Sequence, residues 1–154
     1  MAQFFIGRKT LVGDIYPAAN KTNAEFVATL QENIWKRGAM DKLISDRARE
    51  ECGMAAQAVL QDYAIDDWQS EPYHQHQNFA ENYWGKIKSC TNLNMERSGC
   101  PATMWLYCIM WVIFILNHCA CAQLHWRTPI EALTGSTPDI SAILQFPVWH
   151  PVYY

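Results

Sequence analysis

Two β-rich runs open the chain and predict a pair of strands. Residues 2–6 and 10–16 are rich in strand-forming side chains, and Gly7–Lys9 separates them. A short polar and flexible break between two such runs is typical of a β-hairpin. Pro17 cannot donate to a strand ladder and so ends the second run. The first predicted element is therefore an antiparallel hairpin.

The next periodic segment predicts an amphipathic helix with defined ends. Thr22 and Glu25 have the Thr-x-x-Glu spacing of a capping box, and Gly38 follows the last periodic residue. Between these ends, apolar residues recur every three or four positions and so share one helix face. The residues of this stripe are Phe26, Val27, Leu30 and Ile34.

A strand, a helix and a second strand are predicted next. Residues 40–45 and 64–69 suit short buried strands, and the interval between them has helical spacing. Such a connection places the two strands parallel in one sheet. Functional side chains then collect beyond the carboxyl ends of the strands, where Asp46 and the loop 70–77 follow.

Three helices are predicted in the second half of the chain. The first opens near Asn78 and ends at Gly99, the second runs from Pro101 to about His118, and the third starts at Pro129. Proline in a first turn and glycine after a last turn mark such boundaries. The core face of the second helix is expected to carry Trp105, Leu106, Ile109 and Ile113.

Composition narrows the class of protein. The 154 residues are 50% apolar with a formal net charge of −3, which fits one globular domain and excludes a general basic field for nucleic acid. Any DNA contact must therefore rest on a local patch. We expect residues 1–137 to form the domain and residues 138–154 to form an apolar carboxyl-terminal extension.

Two segments raise alternatives that the sequence disfavours. Cys119 and Cys121 lie near two histidines, but Cys-x-Cys lacks the usual zinc spacing, and no secretory leader precedes the cysteines, so reduced intracellular thiols are favoured. Residues 101–116 are uncharged, but a membrane span needs about 20 apolar residues. A buried helix is therefore favoured over a membrane span.

Two acids are candidates for metal chemistry. Asp46 follows a predicted strand, and Glu81 lies in the first turn of a predicted helix. Carboxylates at such positions suit a divalent cation, although a two-metal clamp needs three or more acids. From spacing alone, a helix cap and a solvated surface acid are the commoner explanation of this pair.

Five blocks in fixed order give the chain a family resemblance. Together they resemble the retroviral-type integrase catalytic domain, specifically that of copia-type retrotransposons. The segment at Ser45 and Asp46 resembles the block with the second catalytic Asp, and residues 72–81 resemble the block with the catalytic Glu. The blocks are LVGDIYPAANKTNAEFVATLQ, LISDRA, QSEPYHQHQNFAENYWGKIK, SGCPATMWLYCIMWVIFILNH and WRTPIEALTGSTPDIS.

This resemblance implies a fold, a reaction and a set of residues. The implied fold is α/β, an RNase H-like mixed sheet flanked by helices, and the implied reaction is strand transfer of retroelement DNA dependent on Mg²⁺ or Mn²⁺. DNA, a homodimer, and an intracellular, nuclear location are also implied, without a membrane. The implied catalytic and metal-binding residues are Asp46 and Glu81, and the implied nucleic-acid contacts are Lys88, Lys86, Gln77 and Asn78.

The resemblance also implies a first catalytic Asp on a first strand. The opening hairpin matches the family's second and third strands, so we expect this chain to lack the first strand. Asp14, which aligns with the third strand, is not taken as a ligand. With two of three acids, the chain is expected to be inactive alone. The alternative is a non-catalytic remnant that binds nucleic acid or protein.

Overall fold

The computed structural model describes residues 1–45, 53–69, 79–141, 143 and 149. Short 3₁₀ turns at Ala102–Met104 and Ala122–Leu124 accompany the regular elements. In chain order the strands and helices are β1 (Ala2–Ile6), β2 (Gly13–Pro17), α1 (Asn23–Arg37), β3 (Lys42–Ser45), α2 (Met54–Asp62), β4 (Asp66–Gln69), α3 (Phe79–Ser98), α4 (Trp105–His118) and α5 (Pro129–Thr134).

These elements belong to two compact units. The first unit comprises Met1–Phe5 and Tyr16–Asn82, and the second comprises Ile6–Ile15 and Tyr83–Tyr154. The hairpin and α3 therefore each contribute residues to both. The expected boundary between residues 137 and 138 remains a prediction.

The opening hairpin is present as predicted. Ala18 N–H donates to Met1 O at 3.0 Å, and Gly7 N–H donates to Val12 O at 2.9 Å. These bonds join opposite ends of β1 and β2, so the two strands are antiparallel. The second strand begins at Gly13, later than expected. Leu11 has φ 59°, a left-handed conformation that belongs to the turn rather than to a strand.

Helix α1 has the ends that its sequence predicts. Thr22 Oγ1 accepts from Glu25 N–H at 3.3 Å, which stabilises the helix by about 1 kcal/mol. At the other end Gly38 has φ 88°, a conformation favourable for glycine, and its N–H donates to Ile34 O at 2.7 Å. Local side-chain chemistry therefore sets the helix length.

The core of the first unit forms between α1, α2 and the parallel strands. β3 pairs with β4 in parallel, with Ser45 opposite Gln69, which confirms the predicted crossover. Phe5 of β1 packs against the same core from the other sheet. The buried cluster consists of Phe26, Leu30, Ile34, Leu43, Ala56, Val59, Leu60 and Ile65.

The strands form two separate sheets within the described residues. β1 pairs with β2 and β3 pairs with β4, each as a two-stranded sheet. The described residues therefore form both helices and strands, as predicted, and the strands form one antiparallel pair and one parallel pair. An extended mixed sheet joining them is not formed by the described strands.

Helix α4 is apolar up to Leu116 but buries only one face. Cys108, Ile109, Val112 and Ile113 lie on the buried side. Trp105 is 40% exposed, so its predicted place in the core was wrong. Helical spacing places Trp105 on the same side, but it is the first residue of α4, and spacing does not show how far a core extends along a helix.

The apolar region around α4 is longer than the sequence analysis assumed. Ala102–Leu124 is long and apolar enough to cross a membrane by length and composition, and 28% of its most apolar window is buried. Tyr107, Met110 and Phe114 are exposed along one side of α4. We call these three residues the α4 stripe.

Asn117 joins the end of α4 to β2 inside the second unit. Its Nδ2 donates to Gly13 O at 2.8 Å, and its Oδ1 accepts from Gly13 N–H at 2.9 Å. Both bonds are buried and link residues 104 positions apart. The amide thereby satisfies both backbone groups of Gly13, which would be costly to bury unpaired.

Tyr83 lies half-buried on α3 beside three thiols of the same unit. Burial raises the pKa of Tyr83 above its ordinary value, and Cys121, Cys119 and Cys90 raise it further because thiolates repel a phenolate. The cysteines that follow α4 are therefore close to α3. The cysteines of the described part of the chain are free thiols.

We expect Asn117→Ala to destabilise the chain strongly. The substitution leaves the buried N–H and C=O of Gly13 unpaired and should lower the free energy of unfolding by about 2–4 kcal/mol. Asn94→Ala is the control, because Asn94 makes one half-buried bond, to Cys90 O at 2.9 Å. Urea unfolding measures both variants, and equal losses would contradict the clamping role of Asn117.

We expect Tyr83 to make stability fall at alkaline pH. The folded-state pKa of Tyr83 lies above the unfolded value of about 10. Its contribution to the free energy of unfolding is therefore fully present below pH ~10 and is lost as the pH rises through the folded-state pKa. Tyr83→Phe should therefore flatten the decline measured by urea unfolding between about pH 9 and 11. Tyr107→Phe, at a position that is 70% exposed, should leave the decline unchanged.

Candidate metal and nucleic-acid site

One predicted metal ligand follows a strand in the sequence, and the other lies in the first turn of a helix. β3 ends at Ser45, directly before Asp46, and α3 begins at Phe79, two residues before Glu81. Asp46, like the predicted contacts Gln77 and Asn78, lies outside the described residues. The pairing of Asp46 with Glu81 therefore remains a prediction.

The strand ends explain why this edge of the sheet suits a site. Ser45 and Gln69 are register partners in the parallel pair, so β3 and β4 end side by side. The chain leaves both strands at the same edge, where side chains from two connections can converge. Asp46 is the first residue beyond that edge on β3.

Glu81 occupies the first turn of α3 and is exposed. A carboxylate there is stabilised by the helix dipole and by the amide groups of the first turn. The sequence predicted this placement, which puts Glu81 at the amino-terminal end of a 20-residue helix. Its carboxylate oxygen atoms are ligands of the kind that magnesium prefers.

The exposed face of α3 continues from Glu81 towards two lysines. Glu81, Gly85 and Lys88 share this face, as their spacing predicts, and Lys86 is also exposed. The opposite face carries Ile87, which is fully buried. A Cβ added at Gly85 would meet no atom of the described structure within 4 Å. A methyl group at Gly85 would therefore cause no steric clash.

The segment after α4 contains an exposed tryptophan that sequence analysis did not identify. We call residues 121–128 the tryptophan loop. Trp126 is 75% exposed, and both His125 (φ 55°) and Trp126 (φ 65°) have left-handed backbone conformations. Left-handed positions of residues other than glycine carry no reliable sequence signal, because tertiary bonding selects them.

Among the described residues, no group of three or more His, Cys, Asp or Glu side chains is placed to hold a metal ion. Two acids, Asp46 and Glu81, remain the candidates.

Charge is distributed unequally between the two units. The first unit has six Lys or Arg and eleven Asp or Glu, a formal net charge of −5. The second has six and four, a formal net charge of +2. The acidic balance of the whole chain therefore conceals a basic unit, which contains Lys86 and Lys88.

The chain is similar to known proteins in structure but not in overall sequence. No protein-family model matches the sequence, and no curated protein sequence matches it. Solved structures do match. The integrase catalytic core domain of HTLV-2 in complex with magnesium, in a trimeric form, has a TM-score of 0.66 at 14% identity, covering 86% of this chain and 92% of that one.

Two further structures extend the comparison. The catalytic core domain of BIV integrase has a TM-score of 0.70 at 12% identity, covering 87% of this chain and 85% of that one. A chain of the simian T-cell lymphotropic virus intasome in complex with PP2A regulatory subunit B56 gamma has a TM-score of 0.75 at 13% identity. That match covers 90% of this chain, which spans about half (51%) of the intasome chain. The chain described here therefore has the fold of retroviral integrase catalytic cores.

Proposed function

We propose that these 154 residues form the core of a copia-type retrotransposon integrase that binds DNA. The observation that carries the proposal is the exposed face of α3, where Glu81 lies in the first turn and Lys88 two turns later, in a chain with the integrase-core fold. An acidic side chain for metal binding and a cationic side chain for phosphate binding then lie along one helix. DNA as the partner, and an intracellular, nuclear location, follow from this proposal.

Asp46 and Glu81 are proposed to hold a magnesium ion. Magnesium keeps several of its waters and needs only one or two carboxylates from the protein, so a pair of acids fits a single ion. A bound ion would supply Lewis-acid chemistry at a phosphate. In support, Glu81 lies in the first turn of α3, and Asp46 directly follows Ser45, the last residue of β3, in the sequence.

The 154 residues are proposed not to join DNA strands by themselves. A clamp of two metal ions on the attacking and leaving oxygens requires more acids than this pair provides. In the resemblance that the five blocks establish, the first Asp belongs to a strand that precedes the opening hairpin. Asp14 is buried in β2, within the second unit, and is not proposed as its substitute.

DNA binding is proposed to rest on the second unit. Its formal charge of +2 gives the local basic character that the whole chain lacks. Lys86 and Lys88 are exposed on α3, and Gly85, on the same face as Lys88, is also exposed. Phosphate contacts from lysines do not depend on a complete metal site, so a non-catalytic DNA-binding role is the second candidate.

Self-association is proposed through the α4 stripe. Tyr107, Met110 and Phe114 are exposed on a helix without acidic or basic residues apart from its last residue, His118. Packing this surface against a second copy would remove apolar area from water without burying a charge. The HTLV-2 core domain is described in both dimeric and trimeric forms.

A strand-transfer assay tests the catalytic part of the proposal. The 154-residue chain, with Mg²⁺ or Mn²⁺, is incubated with a duplex oligonucleotide ending in a free 3′ hydroxyl and a plasmid target. We expect no joined product above background. Joining by the wild type that Glu81→Gln abolishes would contradict the expected inactivity and establish a competent site.

Metal binding is measured separately by titration of Mn²⁺ with electron paramagnetic resonance. Glu81→Gln removes a charge-assisted contact of about 1.5–3 kcal/mol and should weaken binding roughly tenfold or more. Glu96→Gln is the matched control, because Glu96 is an exposed glutamate on the same helix. Equal Mn²⁺ affinity in the two variants would remove Glu81 from the proposed site.

Sedimentation equilibrium tests the proposed dimer. Met110→Glu places a charge in the middle of the α4 stripe and should shift the chain to monomer, because like charges would meet across a two-fold interface. Thr103→Glu, at an exposed position just before α4, should leave association unchanged. If the wild type is monomeric throughout the micromolar range, the stripe is not a dimer interface.

A further inference from the structure

The tryptophan loop holds Trp126 in a conformation that its backbone does not favour. His125 has φ 55° and ψ 44°, and Trp126 has φ 65°. Two consecutive residues with a Cβ in the left-handed region are strained, and a large aromatic residue is an unfavourable choice there. The surrounding structure must therefore impose this conformation.

Hydrogen bonds within the second unit impose it. Trp126 N–H donates to Cys121 O at 3.0 Å, and Cys121 N–H donates to Arg127 O at 3.2 Å, so the loop closes on itself. Leu124 is buried, so its side chain anchors the loop to the structure around it. After the loop, the capping box of Thr128 and Glu131 fixes the start of α5. The backbone around Trp126 is held at both ends.

Burial of the indole does not repay this strain, since Trp126 is 75% exposed. A core residue in a strained conformation would gain free energy from the apolar area it hides, whereas this side chain is presented to solvent. Conformational strain that presents a side chain is typical of binding sites. The loop is therefore built to display an aromatic face.

The neighbours of Trp126 indicate what that face would bind. His125 and Arg127 are exposed on either side, and Arg127 Nε donates to Leu124 O at 3.5 Å, which orients the side chain. No acidic residue lies between Glu96 and Glu131 in the sequence. The carboxylate of Glu131 accepts from Thr128 N–H at 3.4 Å. An aromatic face flanked by a cation suits stacking on a base and contact with its phosphate.

We propose that Trp126 stacks on an unpaired DNA base while Arg127 contacts the adjacent phosphate. This inference rests on the proposed DNA binding and adds to it a preference for single-stranded or frayed DNA. The preference follows because a single indole can reach the face of a base only where that base has no stacked neighbour. The net charge of +2 on the second unit favours the same partner.

Fluorescence anisotropy of the full 154-residue chain tests the proposal, with a fluorescein-labelled 20-nucleotide single strand and a blunt duplex of the same sequence. Trp126→Gly should weaken single-strand binding between about fivefold and a hundredfold, the range for loss of one stacked base. Its duplex affinity should stay within about twofold, since the indole cannot reach a stacked base. Arg127→Gln should weaken both and lower the salt dependence of binding by about one ion.

A melting measurement and two further variants separate stacking from folding. Glycine accommodates a positive φ, so Trp126→Gly should keep or raise the melting temperature. Trp126→Phe retains an aromatic face and should retain most single-strand affinity. Trp35→Ala is the matched control, because Trp35 is 89% exposed on α1, in the first unit, and should leave binding unchanged.

Several results would overturn the inference. If the wild type binds DNA and Trp126→Gly binds the single strand equally well, Trp126 is not a stacking residue, although the proposed function stands. If Trp126→Gly melts several degrees lower, or Trp35→Ala loses as much affinity, the effect is structural or nonspecific. If the wild type binds neither DNA, the proposed DNA binding fails and this inference fails with it.

Discussion

The buried amide of Asn117 is the interaction on which the second unit depends. Gly13 carries an N–H and a C=O away from water, and Asn117 satisfies both from the last turn of α4. An apolar side chain at this position would leave two buried polar groups unpaired. The bonds fix the end of α4, and the tryptophan loop begins only four residues later. Asn117 therefore fixes the position from which the chain enters the tryptophan loop.

Local chemistry made much of the fold predictable. Thr22 and Gly38 define the ends of α1 through bonds to residues three or four positions away, so the sequence alone locates both. The parallel pairing of β3 and β4 follows from the connection between them. The turn at Leu11 was not predictable, because its positive φ depends on the strands that it joins. Trp105 was misplaced because it is the first residue of α4, and helical spacing gives the buried side of a helix but not how far the core extends along it.

The candidate site shows the same division. The position of Glu81 in a first turn was predictable, since the start of α3 is marked by local sequence and the family blocks place an acid there. Exposure of Lys86 and Lys88 follows from helical periodicity. Trp126 was missed because its display depends on bonds to Cys121 and on the burial of Leu124, which a sequence pattern does not contain.

The proposed DNA binding and the strand transfer of an integrase would place different physical demands on this chain. A cation at any suitable point of a basic surface attracts a DNA phosphate. The proposed contacts from Lys88 and Arg127 would therefore each contribute independently to DNA affinity. Strand transfer instead requires oxygen ligands to converge on common metal ions, and the loss of one ligand disables the assembly. The proposed DNA contacts of the second unit therefore do not require Asp46 and Glu81 to complete a metal site. In the proposed function, DNA binding would survive an incomplete set of acids, whereas strand transfer would not.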